Sequence, residues 1–376
     1  MKKVVVLGAG LVGAPMALDL AKAQEYKVLA VDFNEHNFPK LNNAGVLTKK
    51  ADLQLPEILE DLIANADFVI NATPGFMGFE SLKRVINAGK NAIDIAFYPE
   101  DMFELDSLAK EKHVCVISDM GVAPGMSNLL AAYGTTLLDE TNDIKIYVGG
   151  LPIKRVLPWE YKAPFSPADV IEEYTRPARF IRNGQMVVKA ALTDAEILRF
   201  PGAGDLEAFN SDGLRSLMTT LDVPNMIEKT LRYPAYIDKI KLLRDSGFFD
   251  TEERMIDGKW IRPIDLTSDI LFDQWKLKDG DRDLTVMQIL ISGIKDGKSQ
   301  THVFDLYDEH DPLTGIHSMA RTTGYTATVA LRLMDAGIYN EIGINAPEFL
   351  AKNKKAVDFM LAGLQERGVS YSHSIQ

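Results

Sequence analysis

Short apolar runs alternate with longer stretches of helically spaced apolar residues along the first third of the chain. The runs have the length and composition of strands buried on both faces of a sheet. They are residues 3–7, 27–31, 67–71, 91–95 and 114–118. Helical patterns follow the first, third and fourth runs and continue to about residues 24, 88 and 112. This alternation predicts a doubly wound parallel sheet, with ligands at the carboxyl ends of its strands.

A glycine motif lies between the first strand and the first helix. It reads Gly8-Ala9-Gly10-Leu11-Val12-Gly13. In a dinucleotide-binding turn the first glycine permits the tight bend, the second lets the backbone approach the pyrophosphate, and the third lets helix and strand pack closely. The backbone amides at the helix start, those of Leu11 and Val12 among them, then face the phosphate charge. The motif and its context therefore predict a Rossmann-type nucleotide-binding domain.

Asp32 ends the second predicted strand, 19 positions after Gly13. An acidic side chain there accepts hydrogen bonds from the ribose hydroxyls and repels a 2′-phosphate, which favours NAD over NADP. The alternative is a glycine-rich turn with Asp32 as a loop cap. The start of the chain, Met1-Lys2-Lys3 before an apolar run, also resembles a signal peptide, but that interpretation gives the glycine spacing no purpose.

Other polar or small residues follow the later strands of this predicted sheet. We expect the following residues to bind the cofactor beside the glycine loop: Asn71, Ala72, Thr73, Pro74, Gly121 and Val122. Tyr98 and Asp119 fall at equivalent strand ends, so they should line the same crevice. Cys115 lies inside a strand and is expected to be a buried, inert thiol.

The regular alternation of strand and helix patterns ends near residue 143. A strand is predicted at residues 144–148, and residues 149–167 carry four prolines with three aromatic residues between them. That composition predicts a structured loop, either a lid over the substrate or a surface loop packed on a second domain. Strand-like runs follow at residues 180–181, 185–190, 197–200 and 302–306, whereas residues 282–292 fit a strand or a short helix. An inserted α+β domain with a mixed sheet is predicted.

Helical patterning resumes near the end of the chain, over residues 326–336 and 347–367, with glycines after each helix. Arg321 and Thr322 come just before the first of these helices. A cation beside free helix amides is a plausible carboxylate site, and the alternative is a surface arginine beside a helix cap.

Composition limits the classes of function. The chain has 376 residues, 41 Lys plus Arg against 53 Asp plus Glu, and a formal net charge of −12. Such a chain suggests two or three domains and disfavours binding to nucleic acid or to anionic membranes, both of which need a basic face. The single cysteine excludes an internal disulfide and a cysteine-cluster zinc site, so we predict no metal site. The single cysteine also fits a reducing cytoplasm, where we expect the protein to be located. No apolar run reaches about 18 residues, so no transmembrane helix is predicted.

The motifs together resemble the saccharopine dehydrogenase-like family. The stretches that carry the resemblance are the glycine motif, Asn71-Ala72-Thr73-Pro74, Gly121-Val122-Ala123-Pro124-Gly125, Tyr147-Val148-Gly149-Gly150-Leu151-Pro152, Phe165-Ser166-Pro167, Thr230-Leu231-Arg232-Tyr233-Pro234 and Met319-Ala320-Arg321-Thr322-Thr323-Gly324-Tyr325. The most similar branch is the L-lysine ε-dehydrogenases, which oxidatively deaminate a side-chain amine with NAD. The resemblance implies a nucleotide domain of residues 1–123 completed by 326–376, an inserted substrate and dimerisation domain of residues 124–325, and a homodimer.

Two positions depart from the sister branch, the saccharopine reductases. The acidic residue of their Gly-Leu-Asp-Pro-Gly turn is Ala123 here, and the cysteine of their Cys-Gly-Gly-Leu-Pro is Val148. The tyrosine of the reductase pocket matches Tyr98, and an acidic residue is kept at Asp119.

The candidate catalytic residues are those that can carry a proton. Hydride departure from a carbon bearing an amine needs the neutral amine, so a base is required. Tyr98 is the first candidate and Asp119 and His302 are the others. Tyr98 could instead be a packed aromatic residue with a bonded hydroxyl, and His302 could instead be a structural histidine. The stretch at residues 210–215 resembles a family segment near the substrate, which makes Asp212 a candidate for an ammonium and Arg215, like Arg321, for a carboxylate.

Three functions stay open from the sequence. The first is an NAD-dependent oxidoreductase of the lysine ε-dehydrogenase type. The second is a condensing reductase that forms saccharopine- or carboxynorspermidine-like secondary amines. The third is an NAD-binding regulator without turnover.

Overall fold

The computed structural model describes residues 1–164, 167–278 and 280–376. The backbone divides into two compact units. Unit 1 comprises Met1–Thr136 and Met319–Ser370, and unit 2 comprises Leu137–Ser318 and Tyr371–Gln376.

Strands supply the frame of both units. In chain order they are β1 (Lys2–Leu7), β2 (Tyr26–Asp32), β3 (Leu47–Lys50), β4 (Phe68–Asn71), β5 (Asn91–Asp94), β6 (Cys115–Ile117), β7 (Glu140–Pro152), β8 (Ala178–Arg182), β9 (Gln185–Lys189), β10 (Glu196–Phe200), β11 (Gly204–Asn210), β12 (Met226–Arg232), β13 (Arg254–Ile256), β14 (Lys259–Ile261), β15 (Asp283–Lys295), β16 (Lys298–Glu309), β17 (Gly343–Asn345) and β18 (Tyr371–Ile375).

Helices connect and cover these strands. The α-helices are α1 (Gly13–Ala21), α2 (Phe38–Asn43), α3 (Pro56–Ile63), α4 (Gly75–Asn87), α5 (Asp106–Glu111), α6 (Met126–Thr135), α7 (Pro167–Thr175), α8 (Leu217–Thr220), α9 (Tyr236–Asp245), α10 (Pro263–Trp275), α11 (Ser318–Asp335) and α12 (Lys354–Glu366). Turns of 3-10 helix cover Lys22–Gln24, Met102–Leu105 and Pro347–Lys352.

Unit 1 is built on a parallel sheet in the order β17-β6-β5-β4-β1-β2-β3. The chain switches direction across the sheet at β1, where β1 pairs in parallel with both β2 and β4. Val4, Val6 and Leu7 of this central strand are completely buried because helices cover both faces. The predicted Rossmann-type doubly wound sheet is confirmed, and it places the ends of β1, β4, β5 and β6 along one edge.

Unit 2 is built on a mixed sheet, which was also predicted. Its main path runs β10-β11-β12-β7-β15-β16-β18, with β8 pairing to β12 and β9 to β8. The pair β7–β12 is parallel, whereas β15 pairs antiparallel with β7 and β16. The region predicted as strand or short helix is therefore strand β15, because it bonds to neighbours on both sides.

The structured loop begins later than predicted. Strand β7 extends to Pro152 because Leu151 and Pro152 pair with the start of β15. Trp159 and Tyr161 of the described part of the loop then pack edge-on against Trp275, at ring centroid distances of 5.8 and 5.5 Å. This packing matches the surface-loop alternative. Phe165 and Ser166, part of one resemblance motif, lie outside the described residues.

The unit boundaries differ from the predicted ones at 123/124 and 325/326. Helix α6 belongs to unit 1, where it packs against the 3-10 turn Pro347–Lys352. Helix α11 begins at Ser318 instead of residue 326, because the backbone amide of Ser318 already donates to the Asp283 carboxylate at 2.8 Å. The last strand, β18, returns to unit 2 by pairing with β16.

Cys115 is buried, as predicted, and burial raises the pKa of its thiol to about 12, which keeps it protonated. Among the described residues, none of the helices has the length and apolar character needed to span a membrane.

Candidate functional site

The glycine loop of unit 1 has the shape that a dinucleotide needs. Gly8 has a φ of +96°, and a Cβ built on it would lie 2.5 Å from the carbonyl oxygen of Ala72. A Cβ on Gly13 would overlap the carbonyl oxygen of Gly8, whereas one on Gly10 would meet nothing within 4 Å. The loop therefore needs Gly8 and Gly13 for its own packing and leaves open space at Gly10, where a pyrophosphate would approach helix α1.

Asp32 closes this loop from the end of β2. One carboxylate oxygen accepts the backbone amide of Ala9 at 2.6 Å and the other accepts that of Asn34 at 2.8 Å. The Asn37 side-chain amide donates to the Ala9 carbonyl at 2.8 Å. Each carboxylate oxygen has a second lone pair, so Asp32 can hold the loop and still accept a ribose hydroxyl. Asp32 can therefore act as a loop cap and as a ribose ligand at the same time.

A buried polar network crosses the carboxyl ends of β4, β5 and β6. The Asn71 side-chain amide donates to Asp94 at 2.8 Å and to the Gly78 carbonyl at 3.0 Å, and the Thr73 hydroxyl donates to Asn71 at 2.8 Å. The Ser118 hydroxyl donates to the second Asp94 oxygen at 2.6 Å. Ala72 is next in the chain, and its backbone amide donates to the Leu7 carbonyl at 2.8 Å, so this network adjoins the glycine loop.

Asp94 is the centre of the network, and it is completely buried. Burial raises the pKa of its carboxyl group to about 7, with a smaller contribution from the nearby Asp119 charge, while the Ser118 hydrogen bond acts in the opposite direction. A carboxyl group with that pKa exchanges its proton near neutral pH, which suits a general acid or base.

Tyr98 and Asp119 lie at this same edge, as predicted. The Tyr98 ring is fully buried, packs edge-on against Phe79 at 5.5 Å, and places its hydroxyl 2.8 Å from Ser118 Oγ. Asp119 is 2% exposed and has a φ of +55°, a left-handed conformation at the end of β6. Gly121 and Val122 follow it, with the Gly121 amide donating to the Pro124 carbonyl at 3.0 Å. Tyr98 is thus a packed aromatic residue whose hydroxyl also belongs to the hydrogen-bond network around Asp94.

Arg321 and Thr322 also belong to unit 1. Both lie at the beginning of α11, whereas the prediction placed them just before the start of a helix. The Arg321 guanidinium donates to the Arg367 carbonyl at 3.2 Å, and the Thr322 hydroxyl donates to the Met319 carbonyl at 3.3 Å.

His302, the third catalytic candidate, lies in unit 2. Its Nδ1 is 2.9 Å from Nε2 of His373 on β18, and the two rings stack. Burial and the neighbouring His373 lower the pKa of His302, which favours the neutral ring. In the sheet order β16 stands four strands from β11, roughly 19 Å at about 4.8 Å per strand, so His302 does not join the residues that follow β11.

Asp212 and Arg215 follow β11. Asp212 already receives a bidentate ion pair from Arg179, at 2.8 and 2.7 Å. That pairing weighs against a second role as the receptor for a substrate ammonium. Arg215 is 8% exposed and has a φ of +51°.

Two charged groups of unit 2 were not among the predicted site residues. Glu228 is buried, accepts the Ser211 hydroxyl at 2.6 Å, and has a pKa raised to about 8 by burial. Arg232 is 2% exposed, pairs with Glu173 at 2.7 Å, and stacks over the Tyr161 ring at 4.5 Å.

A sequence signal was available for some of these missed residues. Asp94 interrupts an apolar run, Ala92-Ile93-Asp94-Ile95-Ala96, in a strand expected to be buried on both faces. A charged residue in such a strand is costly unless it is bonded or functional. Glu228 and Arg232 lie in a strand that also contains other polar residues, so the local pattern did not mark them as buried. Their partners, Ser211 and Glu173, come from distant segments of the chain.

The fold and the first-unit site define a class, a dinucleotide-dependent oxidoreductase with an inserted mixed-sheet domain. The sequence matches the family models described as saccharopine dehydrogenase NADP binding domain over residues 4–117 and saccharopine dehydrogenase C-terminal domain over residues 121–369. The chain belongs to the saccharopine dehydrogenase family, and it is an NAD(P)-dependent oxidoreductase.

Relatives cover nearly the whole chain at low identity. A saccharopine dehydrogenase (NADP(+), L-glutamate-forming) of Pyricularia oryzae is 24% identical and covers 97% of each chain. A carboxyaminopropylagmatine dehydrogenase of Synechocystis is 22% identical over 94% of this chain and 95% of its own. The structure of apo saccharopine dehydrogenase (L-Glu forming) from Saccharomyces cerevisiae superposes with a TM-score of 0.82, 19% identity and full coverage of both chains, which supports the fold.

The predicted family, fold and enzyme class are confirmed by these matches. The preference for NAD over NADP is not, because the matching family model and the Pyricularia enzyme carry NADP in their descriptions.

Proposed function

We propose that the protein oxidises the C–N bond of an amino acid in the manner of an L-lysine ε-dehydrogenase. The observation that supports this most directly is the buried chain Asp94–Ser118–Tyr98, at the strand ends continuous with the glycine loop. The nicotinamide, when bound, would accept the hydride from the amine-bearing carbon, leaving an imine that water hydrolyses.

The residues of unit 1 would supply the proton chemistry. Both hydroxyls in the chain donate and accept hydrogen bonds. When Asp94 is ionised, Ser118 donates to it and Tyr98 donates to Ser118; when Asp94 is protonated, both bonds reverse. A proton released by a substrate ammonium at the Tyr98 end can therefore be passed inward without any side chain moving. Asp119 would add a negative charge beside this chain, since its carboxylate lies near Asp94.

Three residues are proposed as substrate ligands. Arg215 and Arg321 are the candidates for the carboxylate of an amino acid, because a guanidinium binds a carboxylate through two parallel hydrogen bonds. Asp212 is the candidate for an ammonium, and its ion pair with Arg179 would have to be shared. A homodimer is also proposed on the family resemblance, and sedimentation velocity measures it directly.

We propose NAD as the preferred cofactor. Asp32 places a carboxylate at the ribose end of the loop, where a 2′-phosphate would be repelled. Lys50, aligned with Asp32 on the neighbouring strand, is a potential phosphate ligand, but its ammonium pairs with Glu35 at 2.8 Å. The local positive charge is thereby neutralised.

A second candidate is a condensing reductase that joins an amino acid to a carbonyl compound. The names of the relatives favour it, since they include saccharopine dehydrogenases and a carboxynorspermidine synthase of Vibrio cholerae that is 26% identical over 64% of this chain and 61% of its own. Ala123 and Val148, which replace the acidic and cysteine positions of the reductases, disfavour it.

One pair of assays separates the candidates. Oxidation is followed as NADH or NADPH formation against a panel of diamines and amino acids at neutral and alkaline pH. Condensation is followed as NADH or NADPH consumption with an amino acid plus a keto acid or aldehyde. Formation with lysine alone supports the proposal, and consumption only with both partners supports the second candidate.

The Gly10→Ala variant serves as a matched control that lacks space for the cofactor. If the wild type binds dinucleotide tightly and reduces or oxidises it with none of these compounds, the third possibility, a regulator without turnover, replaces both.

A further inference from the structure

Unit 2 contains a cluster of two histidines and an aspartate that no part of the oxidoreductase function uses. It consists of Asp283, His310 and His317, whose ligand atoms all lie within 4.8 Å of one another. We propose that this cluster, named the His–His–Asp site, binds a divalent transition metal, with zinc as the ion it fits best.

The backbone brings the three residues together. Asp311 and Ile316 form an isolated antiparallel bridge that closes a tight loop, and the Asp311 side chain holds Leu313 and Thr314 within it. His310 and His317 are the residues just outside this bridge, so their backbones lie side by side. The backbone amide of His310 donates to the backbone carbonyl of Asp283 at 2.8 Å, which holds these two residues next to each other.

The side chains are already arranged as neighbouring ligands. His317 Nδ1 lies 3.2 Å from a carboxylate oxygen of Asp283, and the two imidazoles meet edge to face at 5.1 Å. Zinc bonds of about 2.0–2.2 Å at tetrahedral angles separate adjacent ligand atoms by roughly 3.3 Å. The Asp283–His317 pair matches this spacing without movement.

A nitrogen atom of His310 lacks a hydrogen-bond partner, which indicates a ligand at this site. Nδ1 of His310 is buried and makes no hydrogen bond. A buried nitrogen without a partner is costly, and a metal ion satisfies it. Because no hydrogen bond holds this nitrogen, turning the ring toward the other two ligands breaks none.

Charge and ligand type select the class of ion. Asp283 is 1% exposed and supplies a carboxylate, and Asp311 adds a second negative charge near His310, against one cation, Arg282. Two imidazoles and one carboxylate favour zinc or another transition metal, whereas magnesium and calcium prefer oxygen ligands throughout. Three protein ligands leave the fourth tetrahedral position for water.

The site lies at a junction in the chain. His317 directly precedes Ser318, the last residue of unit 2 and the first of helix α11, and Asp283 begins strand β15. A bound metal would tie the beginning of β15 to the end of the β16–α11 loop. We therefore expect it to stabilise unit 2 and not to take part in hydride transfer.

The test uses the full chain, stripped with a chelator and titrated with zinc chloride by calorimetry and with cobalt(II) by visible absorption. The expected result is one zinc per chain, the absorption of tetrahedral cobalt, and a Tm that rises with added zinc. His317→Gln should weaken zinc binding by at least about 100-fold and abolish the zinc-dependent rise in Tm. His317 is the safest ligand to replace because its side chain is 20% exposed.

His373→Gln is the matched control, since it removes one ring from the other histidine pair of the described chain, His302 and His373. It should leave zinc affinity unchanged. The proposal is overturned if the wild type binds no stoichiometric zinc, or if the two substitutions weaken binding equally. Should His317→Gln fail to fold by circular dichroism, His310→Gln and the cobalt spectrum of the wild type give the same decision.

Discussion

Asp94 makes the stability of the protein depend on pH. Its carboxyl pKa rises from 3.8 to about 7 on folding because burial penalises the charge. The folded state therefore keeps a proton that the unfolded state has lost, and the stabilisation present below about pH 4 is lost as the pH rises through 7. Glu228, with a pKa raised from 4.5 to about 8, acts in the same direction.

We predict that the free energy of unfolding falls between pH 4 and pH 7 more steeply in the wild type than in Asp94→Asn. One proton corresponds to about 1.4 kcal/mol per pH unit at the steepest point. Asparagine keeps the acceptor for Asn71 and does not ionise. Urea unfolding at several pH values measures the difference.

Asp205→Asn, at an exposed carboxylate, is the control for this series. An identical pH slope in wild type and Asp94→Asn would show that Asp94 stays ionised in the folded protein, which would also remove the proton relay.

Tyr98 gives a second prediction at the residue scale. Tyr98→Phe removes the hydroxyl that contacts Ser118 but keeps the ring in its apolar surroundings. We expect kcat to fall by at least about 100-fold, the usual contribution of a positioned acid–base group, while the dinucleotide Kd stays unchanged. Steady-state kinetics and fluorescence titration measure the two quantities, and turnover near that of the wild type would take Tyr98 out of the mechanism.

Asp32 gives the third prediction at the residue scale. Asp32→Ala should lower kcat/KM for NAD relative to NADP by about 10-fold, since it removes a charge-assisted hydrogen bond and a repulsive charge. Asp32→Asn controls for the loop, because its side-chain oxygen can still accept the Ala9 amide. If the ratio of the two kcat/KM values does not change in Asp32→Ala, the ribose assignment is wrong.

At the scale of elements, substitutions in the turn between β1 and α1 should distinguish effects on stability from effects on dinucleotide binding. Gly10→Ala adds a methyl group to open space, whereas Gly13→Ala drives one into the Gly8 carbonyl. We predict that Gly10→Ala keeps the wild-type Tm but binds dinucleotide at least about 10-fold more weakly, as expected when the pyrophosphate can no longer approach. Gly13→Ala should lower Tm as well. Equal dinucleotide affinity in wild type and Gly10→Ala would place the pyrophosphate elsewhere.

Elements were predicted where the apolar period was strong and the flanking chemistry agreed. Five of the seven strands of the parallel sheet, β1, β2, β4, β5 and β6, were predicted to within one residue at their ends, since they are short apolar runs bounded by polar residues. The two outermost strands, β3 and β17, were not predicted. Helix α6 and strands β11 and β12 were missed or left unassigned. In β12 the buried Glu228 is satisfied by Ser211, 17 residues away, so no local pattern marks that strand.

At the scale of the whole molecule, the last six residues belong to unit 2 although they follow a segment of unit 1. Strand β18 lies at the edge of the mixed sheet and pairs with β16, where His373 stacks on Phe304 at 4.4 Å. The C-terminus thus contributes to a sheet that is otherwise built from the inserted residues.

A chain that ends at Ser370 should therefore bind dinucleotide with the wild-type Kd and unfold about 5 °C lower, the shift expected for a loss of roughly 2 kcal/mol in a unit of this size. Calorimetry and fluorescence titration give the two values, with His373→Ala as the full-length comparison for the ring contact alone. Loss of dinucleotide binding on truncation would contradict the assignment of these residues to unit 2.

The sequence by itself determined the parallel sheet, the glycine loop and the acidic residue at the end of β2. These features are local: each depends on residues close in the chain whose period, backbone freedom or charge has one structural meaning. The tertiary structure decided the rest, including the network around Asp94, the pairing of Asp212 with Arg179, and the meeting of Asp283, His310 and His317. Each of those joins side chains from separate strands or loops, and their burial and proximity exist only once the sheets have formed.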